Sequence, residues 1–257
     1  MEMMQAVILG VVQGLAEFLP VSSSGHLVLV PWLFKWNDLG PTFDVALHIG
    51  TLGALVMYFW RDWLDIIKRW REPFLWYIAA GCVPGALVGY KFEKYFDTVF
   101  RSPLIISVFM IFVGLLLLAA EVYGKKVREL KSIGLKDSIV IGFAQALALM
   151  PGVSRSGITI TAGLFSGFSR ESAARFSFLL AMPITFGAAL LKFKHVMKEG
   201  IPQDERMTFL LGIAAAAITG YFVIKYFLKF LQGHTFYVFV WYRILFGSAA
   251  IAVYLFR

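Results

Sequence analysis

Apolar residues along the chain fall into runs of two lengths, and the difference predicts two kinds of element. Six runs, at roughly 43–60, 74–90, 103–123, 173–191, 208–228 and 236–256, have the length of about 17 to 25 residues that a helix needs to cross a hydrocarbon core. They predict six transmembrane helices. Segments rich in charges and helix breakers lie between them: "RDWLDIIKRWREP" (61–73), "KFEKYFDTVFRS" (91–102), "KFKHVMKEGIPQDER" (192–206) and "KFLQGH" (229–234). These read as loops. Pro84 and Pro183 fall inside spans, where a kink or a neighbouring helix can satisfy the freed carbonyl.

The remaining apolar runs are too short to span. Residues 4–19 and 27–36 flank the polar "PVSSSGH" (20–26), and residues 137–150 and 158–168 flank "PGVSRSG" (151–157). Each set predicts a helix, a loop and a helix that enters the bilayer and returns to the same side. The two sets also match. A shift of 132 residues without a gap lays "VILGVVQGLAEFLPVSSSGHLVL" (7–29) on "IVIGFAQALALMPGVSRSGITIT" (139–161). Gly10, Gln13, Leu15, Ala16, Val21, Ser22, Ser24 and Gly25 meet identical residues in that register, which implies an internal duplication.

Each half, about 1–124 and 125–257, then holds one re-entrant hairpin and three spans. Three crossings place the second half upside down relative to the first, so the hairpins enter from opposite faces and bring their polar loops together near the midplane. The predicted fold is an all-α polytopic membrane protein, one integral domain over 1–257, with six transmembrane helices and two re-entrant helix-loop-helix hairpins in an inverted repeat. The face carrying 61–73, 124–137 and 229–235 has ten Lys or Arg, against nine on the other face. That slight excess puts the first face in the cytoplasm and both termini outside.

Composition agrees with this reading. Of 257 residues, 59% are hydrophobic and 16% charged, and the mean hydropathy is +0.75; soluble domains average about 45–50% and about 25%. The net charge of +8 sits mainly in short inter-span segments such as 124–136, as headgroups and topology select. No basic helix or stacking platform accompanies it, so a nucleic-acid partner is not expected. Cys82 is the one cysteine, which excludes an intrachain disulfide and a cysteine metal cluster. No Lys or Arg precedes Lys35, and Gln13 and Glu17 interrupt the first apolar run, so a cleaved secretory signal is not expected.

The candidate chemistry lies in the two loops. Gly25, Gly152 and Gly157 let the backbone turn sharply, and a returning helix aims its free N–H groups at whatever the loops enclose. Ser22, Ser23, Ser24, Ser154, Ser156 and Thr159 can add hydroxyl donors for phosphate, or act as helix caps. Arg155 is costly at membrane depth, and its planar fork suits phosphate oxygens; pairing with Glu17 is the alternative. Glu17, with Gln13 one turn earlier, is a candidate general base or ligand of a divalent cation, Gln13 being the weaker of the two. His26 has no counterpart, since Ile158 stands at the matching position; it is a candidate for proton transfer or attack on phosphorus, or a structural residue. Asp44 and His48 share a helix face, Arg243 is expected to pair with Glu121, and Lys225 to snorkel.

"QGLAEFLPVSSSGH" (13–26), "PGVSRSGIT" (151–159) and "ARFSFLLAMPITFGAAL" (174–190) strongly resemble the undecaprenyl pyrophosphate phosphatase family of bacterial inner membranes, along essentially the whole chain. The resemblance implies a hydrolase that removes the terminal phosphate of undecaprenyl pyrophosphate to renew the lipid carrier of cell-wall synthesis. It also implies an extracytoplasmic active site, dependence on Mg²⁺ or Ca²⁺, and a link to bacitracin resistance. By position, Glu17, Ser23, His26 and Arg155 would be catalytic, and Ser154, Arg155 and Thr159 would hold phosphate. Gln13 stands where some relatives carry Glu. The resemblance leaves open whether Ser23 or His26 attacks, and the sequence leaves a homodimer open. The rival reading is a transporter or flippase of a prenyl phosphate lipid, since inverted repeats with broken helices also build transporters.

Overall fold

The computed structural model describes residues 2–37, 39–199, 203 and 205–257, with the side chains of 2, 93, 94, 97, 98 and 192–199 left aside. Among the described residues ten α-helices follow in order: α1 (Glu2–Phe18), α2 (Ser23–Phe34), α3 (Gly40–Lys68), α4 (Pro73–Val99), α5 (Pro103–Tyr123), α6 (Leu135–Leu147), α7 (Arg155–Phe165), α8 (Arg170–Glu199), α9 (Arg206–Leu231) and α10 (Tyr237–Phe256). Six of them, α3, α4, α5, α8, α9 and α10, contain stretches long and apolar enough to cross a membrane. The pairs α1–α2 and α6–α7 are the two short hairpins.

Three segments read as loops are helical for most of their length. The helix α3 runs on to Lys68, α4 to Val99 and α8 to Glu199. Hydropathy marks only the part of a helix that lipid surrounds, whereas Lys, Arg, Glu and Trp beyond it are acceptable helix formers. The part of 192–206 that falls on 200–202 and 204 lies outside the described residues.

The hairpins interlock the two halves of the chain. Helix α1 lies along α9, α6 lies along α4, and α5 packs on α10. Small residues allow this closeness, which in a bilayer supplies much of the attraction between helices. A Cβ on Gly10 would lie 2.5 Å from the carbonyl oxygen of Gly212. One on Gly142, 132 positions later, would run into the carbonyl of Gly81. At one face the C-terminal Arg257 donates to the Trp32 carbonyl at 2.8 Å, so the end of α10 sits beside the end of α2.

Arg243 holds the hairpin tips in place. It is fully buried on α10, and its Nε donates to the Met110 carbonyl at 2.8 Å. Its Nη1 donates to Pro20 at 3.1 Å, and its Nη2 to Gly152 at 2.9 Å and Val153 at 3.1 Å, with Phe109 at 3.3 Å. The expected pairing with Glu121 is not made, because Glu121 lies further along α5, at the start of α10, paired with Arg170 and accepting from the Phe236 N–H at 3.4 Å, whereas Arg243 reaches the Met110 and Phe109 carbonyls. Loop carbonyls that leave helical geometry inside lipid must find donors, and the guanidinium supplies them to both loops. Replacing Arg243 with Met should destabilise the protein by about 3 kcal/mol or more, since several buried carbonyls lose their donor. Thermal unfolding in detergent measures this, with Lys225→Met, at an exposed cation, expected to leave the midpoint in place.

Candidate active site

Two serines in the same unusual conformation start the returning helices. Ser22 has φ 77° and Ser154 has φ 73°, a backbone region that costs side-chain-bearing residues roughly 1–3 kcal/mol. Each caps its helix: Ser22 Oγ accepts from the Gly25 N–H at 3.3 Å, and Ser154 Oγ from the Gly157 N–H at 3.0 Å. The next residue in each case is the first of the helix, Ser23 in one hairpin and Arg155 in the other. One local geometry, used twice, therefore presents a hydroxyl and a guanidinium to the same space.

That space is a cavity of about 290 Å³. Its polar wall is Glu17, Ser23, Ser24, His48, Gln145, Arg155 and Thr185, and its apolar wall includes Val45, Phe96, Leu149 and Ile184. The lining residues lie towards the start of α3 and the ends of α4 and α8, so the cavity faces the side that carries 100–102.

Glu17 is the hub. One carboxylate oxygen accepts from Arg155 Nη2 at 2.5 Å. The other accepts from Ser23 Oγ at 2.5 Å and from Gln13 Nε2 at 3.1 Å. His48 Nε2 stands 3.6 Å from that second oxygen, and its Nδ1–H donates to the Asp44 carbonyl at 2.8 Å, which fixes the ring with Nε2 towards the carboxylate. Arg155 is steadied from behind, where Nη1 donates to Thr185 Oγ1 at 2.5 Å and to the Ala181 carbonyl at 3.1 Å. The carboxylate is 7% exposed, so its charge depends on these donors rather than on water.

Of the other hydroxyls expected to hold phosphate, Ser24 lines the cavity beside Ser23, and the rest point elsewhere. Ser22 and Ser154 are caps. Ser156 Oγ donates to the Leu19 carbonyl at 3.0 Å, tying the second hairpin to the first loop. Thr159 Oγ1 bonds the Arg155 carbonyl at 2.7 Å and Ser177 Oγ at 2.6 Å. His26 is likewise off the cavity wall, 4% exposed, and stacked on Phe246 and Tyr242. Its Nδ1 faces the Ser22 carbonyl at 2.7 Å and its Nε2 the Tyr242 hydroxyl at 2.6 Å. A carbonyl only accepts, so Nδ1 carries the proton and Nε2 accepts from the tyrosine. No sequence pattern marks Thr185, and the sequence relates His48 only to Asp44 on one helix face; the signal for it is an imidazole inside the apolar run "FDVALHIGTLG".

Among the described residues no three His, Cys, Asp or Glu side chains converge as a ready metal cluster. Gln13 Oε1, however, is buried without a partner beside the Glu17 carboxylate. This oxygen and the Glu17 carboxylate are of the hard type that a divalent cation takes.

Residues 6–249 match the family described as bacitracin resistance protein BacA. A protein of Geobacter metallireducens named undecaprenyl-diphosphatase is 50% identical over 265 residues, covering 98% of each chain. One of Moorella thermoacetica with the same name is 47% identical, covering both chains in full, and one of Pelotomaculum thermopropionicum is 46% identical over 98% of this chain and 97% of its own. The chain, with its two capped hairpins meeting at Glu17 and Arg155, belongs to the BacA family.

Proposed function

We propose that this chain is an undecaprenyl-diphosphatase of the bacterial cell membrane, and that Ser23 is the group that attacks the terminal phosphorus. Its relatives carry the name of the activity. The observation that carries the assignment of Ser23 is its 2.5 Å hydrogen bond to Glu17, on a cavity wall shared with Arg155. The diphosphate occupies the polar wall, and the prenyl chain follows the apolar wall towards lipid. The face onto which the cavity opens is the extracytoplasmic one in this reading.

Arg155 holds phosphoryl oxygens, and the N-terminal turn of α2 adds N–H groups, so charge is met by fixed donors as it develops. Ser23 Oγ bonds to the terminal phosphorus while its proton passes to Glu17. The bond from that phosphorus to the bridging oxygen breaks, and the prenyl monophosphate leaves with the electron pair. His48, about one third exposed, passes the proton from Glu17 to water. Water then attacks the phosphoserine, giving a proton to Glu17, which hands it to the Ser23 oxygen as the bond to phosphorus breaks and inorganic phosphate departs. A divalent cation, Mg²⁺ or Ca²⁺, would be held by Glu17 and the Gln13 carbonyl oxygen, and when bound it would offset phosphate charge. His26 positions the first loop through the Ser22 carbonyl and takes no part in the transfer.

Two outcomes follow. Ser23→Ala should lower phosphate release from a long-chain prenyl diphosphate by roughly 10³-fold, the scale of a lost nucleophile and its base; release by purified protein in detergent measures this, and near-wild-type turnover would remove Ser23 from the mechanism. His26→Gln should lower kcat but leave the acid limb of the pH profile of kcat/KM in place. That limb reports Glu17, whose carboxylate must be ionised to accept the serine proton, so activity falls as pH falls in wild type and variant alike. A displaced acid limb would make His26 the titrating group.

A further inference from the structure

Gln145 is a polar residue of the cavity with no part in the chemistry above. Gln145, on α6, is 4% exposed and lines the cavity with Glu17, Ser23 and Arg155. Neither its Nε2 nor its Oε1 has a hydrogen-bond partner. Leaving a buried amide unpaired forfeits its hydration with nothing in return, and native structures rarely do so without a reason.

The repeat explains how the amide comes to be unpaired. Gln145 stands 132 positions after Gln13, whose Nε2 is taken by Glu17 four residues on. Four residues beyond Gln145 the matching position is Leu149, which also lines the cavity. The frame that gives one glutamine a carboxylate gives the other a hydrocarbon side chain. Across from it, α4 offers bare backbone: a Cβ on Gly85 would lie 3.5 Å from Gln145 Nε2, so the wall makes room for the amide without bonding it. Whichever way the amide is turned, its NH₂ group and its carbonyl oxygen both stand without a partner at the cavity wall.

We infer that Gln145 is a substrate-contacting residue, its N–H donating to a phosphoryl oxygen of the bound diphosphate and its carbonyl oxygen accepting from a water beside that phosphate. This rests on the reading of the cavity as a prenyl diphosphate site. It gives the diphosphate a contact from the second hairpin's first helix, as Ser23 and Arg155 grip it from the starts of the two returning helices. Contact with the charged diphosphate also explains why the site keeps an amide where a leucine or methionine would pack at lower cost.

The test uses Gln145→Leu and the near-isosteric Gln145→Met in the full-length protein. Binding of a methylene-bridged prenyl diphosphonate, which cannot be cleaved, is measured beside phosphate release from the natural diphosphate. Both variants should bind the analogue and reach kcat/KM about 10- to 100-fold more weakly, the scale of a hydrogen bond to a charged group. Their ligand-free unfolding midpoints should equal or exceed the wild type's, because an unpaired amide has been removed. Analogue binding within about two-fold of wild type in either folded variant, or a lowered midpoint that accounts for the loss, would overturn the inference. Should the wild type bind the analogue and release no phosphate, the phosphatase reading fails, while the dependence of binding on Gln145 still decides the contact.

Discussion

Backbone that departs from helical geometry inside a bilayer leaves carbonyl groups that lipid cannot satisfy, and the protein meets that demand for both hairpins with one guanidinium. Arg243 reaches Pro20 in the first loop and Gly152 and Val153 in the second. Its charge is matched by converging carbonyl dipoles instead of a carboxylate. That choice matters for the site, because it leaves Glu17 to pair with Arg155 at the cavity wall. With the loop tips fixed to one atom group, the first residues of α2 and α7 are fixed relative to each other, and so are Ser23 and Arg155.

On this matched frame the chemistry depends on where the two hairpins differ. Ser23 stands against Arg155, Glu17 against Leu149, and His26 against Ile158. Had the two halves stayed identical, the cavity would hold two serines or two arginines. The difference supplies a hydroxyl, its carboxylate partner and a guanidinium on one cavity wall from one folding solution. It also leaves the Gln145 amide without a hydrogen-bond partner among the described residues.

Much of this was legible in the sequence, for a physical reason. Hydrocarbon thickness imposes a length on apolar runs, so the six spans and two short hairpins could be read off with their order. The meeting of Glu17 and Arg155 followed from matching two polar loops and inverting one half. Side-chain direction within a loop was not legible. Ser22 and Ser23 are adjacent and alike, yet one turns inward as a cap and the other faces the cavity, because a positive φ at Ser22 rotates the chain between them. His26 was judged by its lack of a counterpart, whereas its surroundings are set by Tyr242 and Phe246, more than two hundred residues away. The partners of Arg243 are carbonyls, which no residue pattern records.

The central claim is that the two hairpins present Ser23 as a nucleophile activated by Glu17, with water acting only in a second displacement. The stereochemical course at phosphorus tests this most directly, using a prenyl diphosphate whose terminal thiophosphate is made chiral with oxygen isotopes. Two in-line displacements, through phosphoserine, predict net retention of configuration in the released thiophosphate. Net inversion would mean a single attack by water, and would contradict the account by reducing Ser23 to a hydrogen-bonding partner of Glu17.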